Sequence, residues 1–330
     1  MSKSTKKSGG VVHPLDDFLP AGLGDLSDNQ RAIPRIAKNE KLTDLITATL
    51  PQIPTTHQLR LGDARVMPEL KDNSVHLIVT SPPYWTLKEY NKSPNQMGAI
   101  VAYEKFLDEL DRVWRRCYDA LVPGGRVVCV VGDVCLSRRK NNGRHTVVPL
   151  HSSIQERCRA IGYDNLAPII WHKISNAKFE AEGNGSPFLG KPYEPNSVIK
   201  NDIEFLLMER KSGGYRGPSL TTRILSIIPA KCHGEWFQQI WFGLTGASTK
   251  HHPAPYPLEL ATRLIRMFSF VGDTVLDPFL GTGTTTLAAA NCGRSSIGYE
   301  IDREYLKLAE KRLTSGTSDL FAAAEVTVTR

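Results

Sequence analysis

Hydrophobic positions set a rhythm along the chain from about residue 58. The run Val75-His76-Leu77-Ile78-Val79 is apolar and β-branched, and it stops at Pro82-Pro83; this predicts a buried strand that ends in a rigid loop. Residues 103–121 carry Phe106, Leu110, Val113, Tyr118 and Leu121 at helical spacing. Pro123-Gly124-Gly125 should end that helix, and residues 126–131 should form a second buried strand. Residues 151–160 and 166–171 repeat the pair as helix then strand, after an isolated helix at 39–50. Further on, 256–270 reads as an amphipathic helix, 274–279 and 295–299 as strands, and 303–313 as a helix. Strands alternating with helices imply an α/β fold with a mostly parallel sheet covered on both faces, a Rossmann-like arrangement.

One stretch breaks the rhythm. From 173 to 250 the chain is rich in Gly, Pro, Asn and Ser, with short apolar pieces at 204–208 and 236–242. A loop-rich segment of that size within an α/β domain usually carries function. The organisation is therefore a tail and peripheral segment at 1–55, one half of the core at 56–172, the loop-rich region at 173–250, the other half at 251–315 and a terminal tail at 316–330. Lys3, Lys6 and Lys7 fall in the Ser/Gly-rich tail and read as a solvated end. No internal repeat is visible.

Composition narrows the classes. The chain has 330 residues, 41% hydrophobic and 23% charged, so it can bury a core without covalent or metal staples. Six cysteines (Cys117, Cys129, Cys135, Cys158, Cys232 and Cys292) contain no C-x-x-C pair, which argues against a disulfide scaffold or a zinc module. His233 and the His251-His252 pair have no companions at metal-ligand spacing, and no metal is expected. No apolar run approaches the roughly 18 residues of a membrane span, and the polar start lacks a signal-peptide pattern; a cytoplasmic protein is expected. The net charge of +7 suits a polyanionic partner but does not identify one.

Chemistry first shows in residues 274–300. Strand, glycine turn and helix follow one another through Asp277-Pro278-Phe279-Leu280-Gly281-Thr282-Gly283-Thr284, and Glu300 ends the next strand. An acid about 20 residues past the first loop glycine is the position of a carboxylate that grips ribose hydroxyls. The third glycine of a dinucleotide fingerprint is replaced by Thr286, and no G-K-[ST] is present. Asp277 also sets a carboxylate where a pyrophosphate would be repelled. A cofactor with adenine, ribose and a cationic or zwitterionic tail fits better: S-adenosylmethionine.

The second centre is Ser81-Pro82-Pro83-Tyr84-Trp85, directly after a buried strand and so at the carboxyl edge of the sheet. The prolines stiffen the backbone and remove two N–H donors. The Ser81 hydroxyl and Pro82 carbonyl can then present acceptors beside the rings of Tyr84 and Trp85, an arrangement suited to a flat heterocycle with an exocyclic NH₂. A rigid turn packed by core aromatics is the plainer alternative.

These motifs carry a resemblance. The chain resembles the amino-methyltransferases of DNA, which methylate N4 of cytosine or N6 of adenine, over roughly residues 58–313. The specific matches are Ser81-Pro82-Pro83-Tyr84 and Phe279-Leu280-Gly281-Thr282-Gly283. Supporting ones are Gly62-Asp63, Pro123-Gly124-Gly125, Trp171-His172-Lys173 and His252-Pro253-Ala254-Pro255-Tyr256-Pro257. The catalytic loop precedes the cofactor loop, which is similar to the permuted beta-group order, with 173–250 as target-recognition region. The resemblance implies Ser81, Pro82, Pro83 and Tyr84 as catalytic residues. It implies a cofactor site of Asp63, Pro255, Tyr256, Asp277, Pro278, Phe279, Gly281, Thr282, Gly283, Thr284 and Glu300. Asp in the first catalytic position is more usual for adenine; Ser81 is similar to the cytosine-N4 enzymes, with adenine N6 as the alternative.

The amino nitrogen of cytosine is amide-like. Hydrogen bonds to Ser81 and Pro82 would localise its lone pair for in-line attack, with orientation and electrostatics supplying most of the catalysis. None of the six cysteines stands in the catalytic loop, so a cytosine-C5 mechanism is not indicated. A base inside a duplex must be flipped out, with Tyr84 and Trp85 as stacking candidates. Double-stranded DNA would be gripped by Arg138, Arg139, Lys140 and Arg144, and read by some of Arg210, Arg216, Arg223 and Lys231. A companion restriction endonuclease, acting separately, and a monomer or homodimer are expected. A non-catalytic DNA-binding protein on the same fold is the rival from another class.

Overall fold

Successive side chains of a strand point to opposite faces, so a strand apolar at every position must be covered on both. The 75–80 run obeys this. In the computed structural model, which describes residues 14–86, 95–173, 201–246, 256–315 and 323–330, Leu77 and Val79 enter one apolar cluster while Val75 and Ile78 enter another.

The chain order begins α1 (Asn29–Ala37), α2 (Glu40–Thr49), β1 (Thr55–Leu61), β2 (Val75–Thr80), α3 (Tyr103–Ala120) and β3 (Leu121–Val131). It continues β4 (Val134–Leu136), β5 (Thr146–Val148), α4 (Leu150–Ile161), β6 (Tyr163–His172), β7 (Ile203–Lys211), α5 (Leu220–Leu225), α6 (Ala230–Trp236) and β8 (Ile240–Trp241). It closes with α7 (Leu258–Phe268), β9 (Thr274–Asp277), α8 (Thr284–Asn291), β10 (Ser295–Glu300), α9 (Arg303–Ser315) and β11 (Ala324–Thr329).

Nine strands form one sheet in the order β11-β1-β10-β9-β2-β3-β7-β6-β8. All its pairings are parallel except the two made by β7, so β7 alone runs against the rest. The apolar stripes of α3 and α4 pack on the face shown by Ile78, Val127, Cys129 and Val131. Those of α7 and α8 cover the face of Leu77, Val79, Val128 and Val130. The expected α/β architecture with helices on both faces is present.

Three sequence expectations need correction. Pro123-Gly124-Gly125 does not end a helix: α3 stops at Ala120 and β3 starts at once. Val75 pairs with Leu121 and Leu77 with Arg126, so the extra residues bulge out of the strand. The 173–250 region is not wholly outside the core, because β7 lies between β3 and β6. Within the same region α5 joins the 1–55 segment: Ile224 and Leu225 pack with Leu23, Ile36, Ile46 and Val271. Last, residues 324–329 are no tail but the edge strand β11, paired with β1.

Candidate active site

Strands β2 and β9 are neighbours at the centre of the sheet. From β2 the chain crosses to β3 on one side, and from β9 it crosses to β10 on the other. Loops leaving such a pair diverge and open a crevice at the carboxyl ends of the strands. The loop after β2 is Ser81-Pro82-Pro83-Tyr84, and the loop after β9 is the glycine turn.

A hydrogen bond ties the two loops at their roots. Thr80 Oγ1, the last residue of β2, donates to Asp277 Oδ1 at 2.7 Å. Asp277 also accepts from the Phe279 backbone N–H at 3.1 Å, from Thr285 Oγ1 at 2.6 Å and from the Tyr256 hydroxyl at 3.2 Å. It is 2% exposed and does not line the cleft described below. Burial pushes its pKa up, against the pull of these donors. The sequence placed Asp277 in the ligand site. The structure turns it inward, where it holds the loop in shape, with Tyr256 as one of its donors.

Gly281 and Gly283 take left-handed backbone angles, φ 54° and 80°. At Gly283 a side chain would bring Cβ to 3.0 Å from Cβ of Ala309 in α9, so close helix packing also requires glycine. This turn aims the Gly281 N–H at Glu300 Oε2, 2.7 Å away, while Asp302 N–H donates to Oε1 at 2.8 Å. Glu300 is buried at the end of β10, and burial, opposed by those two N–H groups, pushes its pKa up to about 7. Unlike Asp277, it borders open space.

That space is a cleft of about 590 Å³, counted together with the solvent at its open mouth. Of the residues expected at the site, Asp63, Ser81, Pro83, Pro278, Phe279 and Glu300 line it. Asp63 is anchored by Arg65, whose Nε lies 2.8 Å from Oδ1 and whose Nη1 reaches Glu109 Oε2 at 2.6 Å. Burial raises the Asp63 pKa, but the Arg65 hydrogen bonds and charge outweigh it and hold the carboxyl below its usual value. Thr282 and Thr284 are not brought to the cleft: both accept from Arg312 of α9, at 2.9 and 3.3 Å. Pro255 lies outside the described residues. The sequence reading missed Ala64, Asn95, Gln96, Met97, Tyr299, Ile301 and Tyr305, which complete the walls with Gly62. Tyr299 and Ile301, beside Glu300, and Ala64, beside Asp63, had a local signal that could have suggested them.

In the loop after β2, Pro82, Pro83 and Tyr84 are buried and Ser81 is half-buried at the cleft. Ser81 Oγ donates to the Tyr84 hydroxyl at 3.2 Å. Tyr84 lies within donating distance of Glu204 Oε2 at 3.3 Å and of the Val130 carbonyl at 3.4 Å. Lys173 Nζ closes the chain on Glu204 Oε1 at 2.6 Å. Tyr84 is thus a buried element of the site rather than an open stacking surface. Trp85 packs edge-on against Tyr103 at 5.0 Å and donates to the Val101 carbonyl at 3.1 Å.

The basic residues divide. Arg138, Arg139 and Arg144 stand between β4 and β5, an antiparallel pair that leaves the carboxyl end of β3, on the cleft side of the sheet. Lys140 shares that turn. Arg210 pairs with Arg126 in the ladder, at the opposite edge, and bonds Asp164 at 2.8 Å. Arg216 forks onto Asp273, just before β9, with both bonds at 2.6 Å. Arg223 lies on α5, packed with the N-terminal segment, and Lys231 is exposed on α6. The structure does not bring Arg210, Arg216 or Arg223 to the cleft. Among the described residues no group of three or more His, Cys, Asp or Glu could hold a metal ion, and no helix is long and apolar enough to cross a membrane.

With this geometry in view, the family model described as DNA methylase, of the N6/N4 type, matches residues 75–311. The chain belongs to that family. It is 37% identical over 290 residues to the Type II methyltransferase M.MjaI of Methanocaldococcus jannaschii, covering 79% of this chain and 92% of the relative. It is 34% identical over 281 residues to the Type II methyltransferase M.MthZI of Methanothermobacter thermautotrophicus, covering 78% and 77%. Among solved structures, TTHA0409 of Thermus thermophilus, described as a candidate DNA modification methylase and crystallised with S-adenosyl-L-methionine, superposes with a TM-score of 0.67. It is 48% identical, over 83% of this chain and all of that one. The cytosine-N4-specific PvuII DNA methyltransferase shares the fold, with a TM-score of 0.54 at 18% identity over 83% and 97% of the two chains. The chain is a DNA methyltransferase.

Proposed function

We propose that this DNA methyltransferase moves the methyl group of S-adenosylmethionine to the exocyclic N4 amino group of cytosine in a short double-stranded site. In this reading it protects DNA from a companion restriction endonuclease of the same specificity. The observation that carries the reading is that Ser81 and Glu300 line one cleft.

The residues present fit that cofactor. Glu300 offers its carboxylate to ribose hydroxyls, and Phe279 and Ile301 supply apolar wall. The two carboxylates of the lining, Asp63 and Glu300, favour a cationic ligand over a phosphate. When bound, S-adenosylmethionine supplies an electrophilic sulfonium methyl.

Ser81 and the Pro82 carbonyl then orient the amino group and draw on its hydrogens, leaving the nitrogen lone pair free to attack. Ser81 is neutral, so its contribution is orientation and electrostatics rather than removal of a proton beforehand; the nitrogen loses its extra proton to water after the transfer. A hydroxyl in this position is what points to cytosine N4 rather than adenine N6. In this reading the base leaves the duplex to present its amino group, and the arm bearing Arg139 and Arg144 holds the DNA backbone.

The test is to incubate mixed-sequence DNA with the protein and S-adenosylmethionine, digest it, and weigh the nucleosides. N4-methylcytosine is expected. N6-methyladenine would replace the assigned base, and no methylated nucleoside would sink the reading.

A further inference from the structure

We propose that Glu204, acting through Tyr84, fixes the direction of the hydrogen bond at Ser81, so that the Ser81 oxygen meets the substrate amino group as an acceptor only. The inference rests on the amino-methyltransferase reading above and concerns the same site.

A serine hydroxyl can donate or accept, and its hydrogen rotates to suit. An amino group presenting two hydrogens needs acceptors. A Ser81 hydroxyl free to rotate would spend part of its time aiming its own hydrogen at that group. The chain behind Ser81 removes this freedom.

A carboxylate can only accept and an ammonium can only donate. Lys173 Nζ takes Glu204 Oε1 at 2.6 Å, which leaves Oε2 facing the Tyr84 hydroxyl at 3.3 Å. Tyr84 must therefore donate its single hydrogen that way, and the Val130 carbonyl at 3.4 Å draws it in the same sense. With its hydrogen committed, the Tyr84 oxygen is left to accept from Ser81 Oγ at 3.2 Å. The Ser81 hydrogen is thereby spent inside the protein, and its lone pairs remain for the cleft.

The reversed strand makes this possible. β7 enters the sheet at the cleft edge, where Phe205 pairs with Val131 and Glu204 with Trp171. Glu204 is 8% exposed and does not line the cleft, so it is a positioning residue. Its ion pair with Lys173 offsets the cost of burying it.

The experiment compares single-turnover methyl transfer in wild type, Tyr84→Phe, Glu204→Gln, Glu204→Asp and the double variant Tyr84→Phe/Glu204→Gln, with cofactor affinity measured alongside. Tyr84→Phe keeps the ring but frees the Ser81 hydroxyl, with a loss of about tenfold expected. In Glu204→Gln the amide oxygen faces Lys173 and its NH₂ faces Tyr84. The Tyr84 hydrogen then keeps only the Val130 carbonyl as an inward acceptor and divides between it and Ser81, so the Ser81 hydrogen turns toward the substrate part of the time. A smaller loss, about threefold, is expected. With the tyrosine hydroxyl also removed, residue 204 has nothing to act through, so the double variant should match Tyr84→Phe alone, a non-additivity that a merely structural role would not give. Glu204→Asp keeps an acceptor-only group and should stay faster than Glu204→Gln. Cofactor affinity should stay within twofold throughout. With an active wild type, any other order of these rates overturns this inference alone. A wild type inert toward DNA amino groups overturns the proposed function and this inference with it.

Discussion

The two edges of the central sheet are built from similar side chains and do different work. At the amino edge, charged groups are spent on one another. Arg216 forks onto Asp273, Arg210 bonds Asp164, and His76 Nδ1 accepts from the Thr274 backbone N–H at 3.0 Å. At the carboxyl edge, the charged and polar groups that line the cleft are anchored from behind and left open in front. Asp63 leans on Arg65, Glu300 accepts two backbone N–H groups, and Ser81 donates to Tyr84. The lesson is that residue type does not separate function from structure here; the remaining valence does. Asp277 and Glu300 make the point on adjacent strands, since Asp277 meets four donors within the protein and borders no cleft, whereas Glu300 does.

Substitutions should split along the same line. The largest effect is expected at the cleft: Ser81→Ala should cut the single-turnover rate of methyl transfer about 10²- to 10³-fold. Cofactor affinity and melting temperature should stay near wild type, and a rapid-quench assay beside a thermal melt would show it. Next in size, Arg216→Ala should leave methyl transfer unchanged. Because Arg216 is about a third exposed, screening limits the loss of stability to about 1 kcal/mol. A melting temperature roughly 2 °C lower would register this; a slowed transfer step at 25 °C would break the division between edges. The smallest effects belong to DNA binding. Arg139→Ala and Arg144→Ala should each reduce the salt slope of DNA affinity by about 1, while Arg210→Ala should leave it unchanged. Equal slopes for all three would place the DNA elsewhere.

Much of this was legible in the sequence, for a physical reason. β2, β3 and β9 carry apolar residues on both faces, and both loops of the cleft follow strands of that kind, so Ser81 and Phe279 could be found from local pattern, and Glu300 from its distance past the first loop glycine. What failed was non-local. β7 holds Glu204, Glu209 and Arg210 among its apolar residues, so it did not read as core, although Leu206 and Leu207 are fully buried. β11 alternates half-buried and exposed residues on an edge, too weak a signal to separate from a tail. The direction in which Asp277 points is set by Thr80, 197 residues away, and the partner of Tyr84 lies 120 residues further along the chain. No window of sequence contains those pairs. The same limit explains why Arg210 and Arg216 looked like DNA contacts: their acidic partners are distant in sequence.

The most direct test of the claim that the carboxyl edge receives the cofactor is a calorimetric titration of S-adenosylmethionine into wild type and Glu300→Gln at pH 6 and pH 8. Burial raises the pKa of Glu300 to about 7, so its carboxylate is mostly protonated at pH 6 and ionised at pH 8. Ribose hydroxyls donate more strongly to the ionised carboxylate than to the neutral acid. Wild-type affinity should therefore be higher at pH 8 than at pH 6, by up to about tenfold, while Glu300→Gln should bind more weakly and alike at both. Equal wild-type affinity at the two pH values, or a Glu300→Gln variant that binds as tightly as wild type with the same pH dependence, would contradict it.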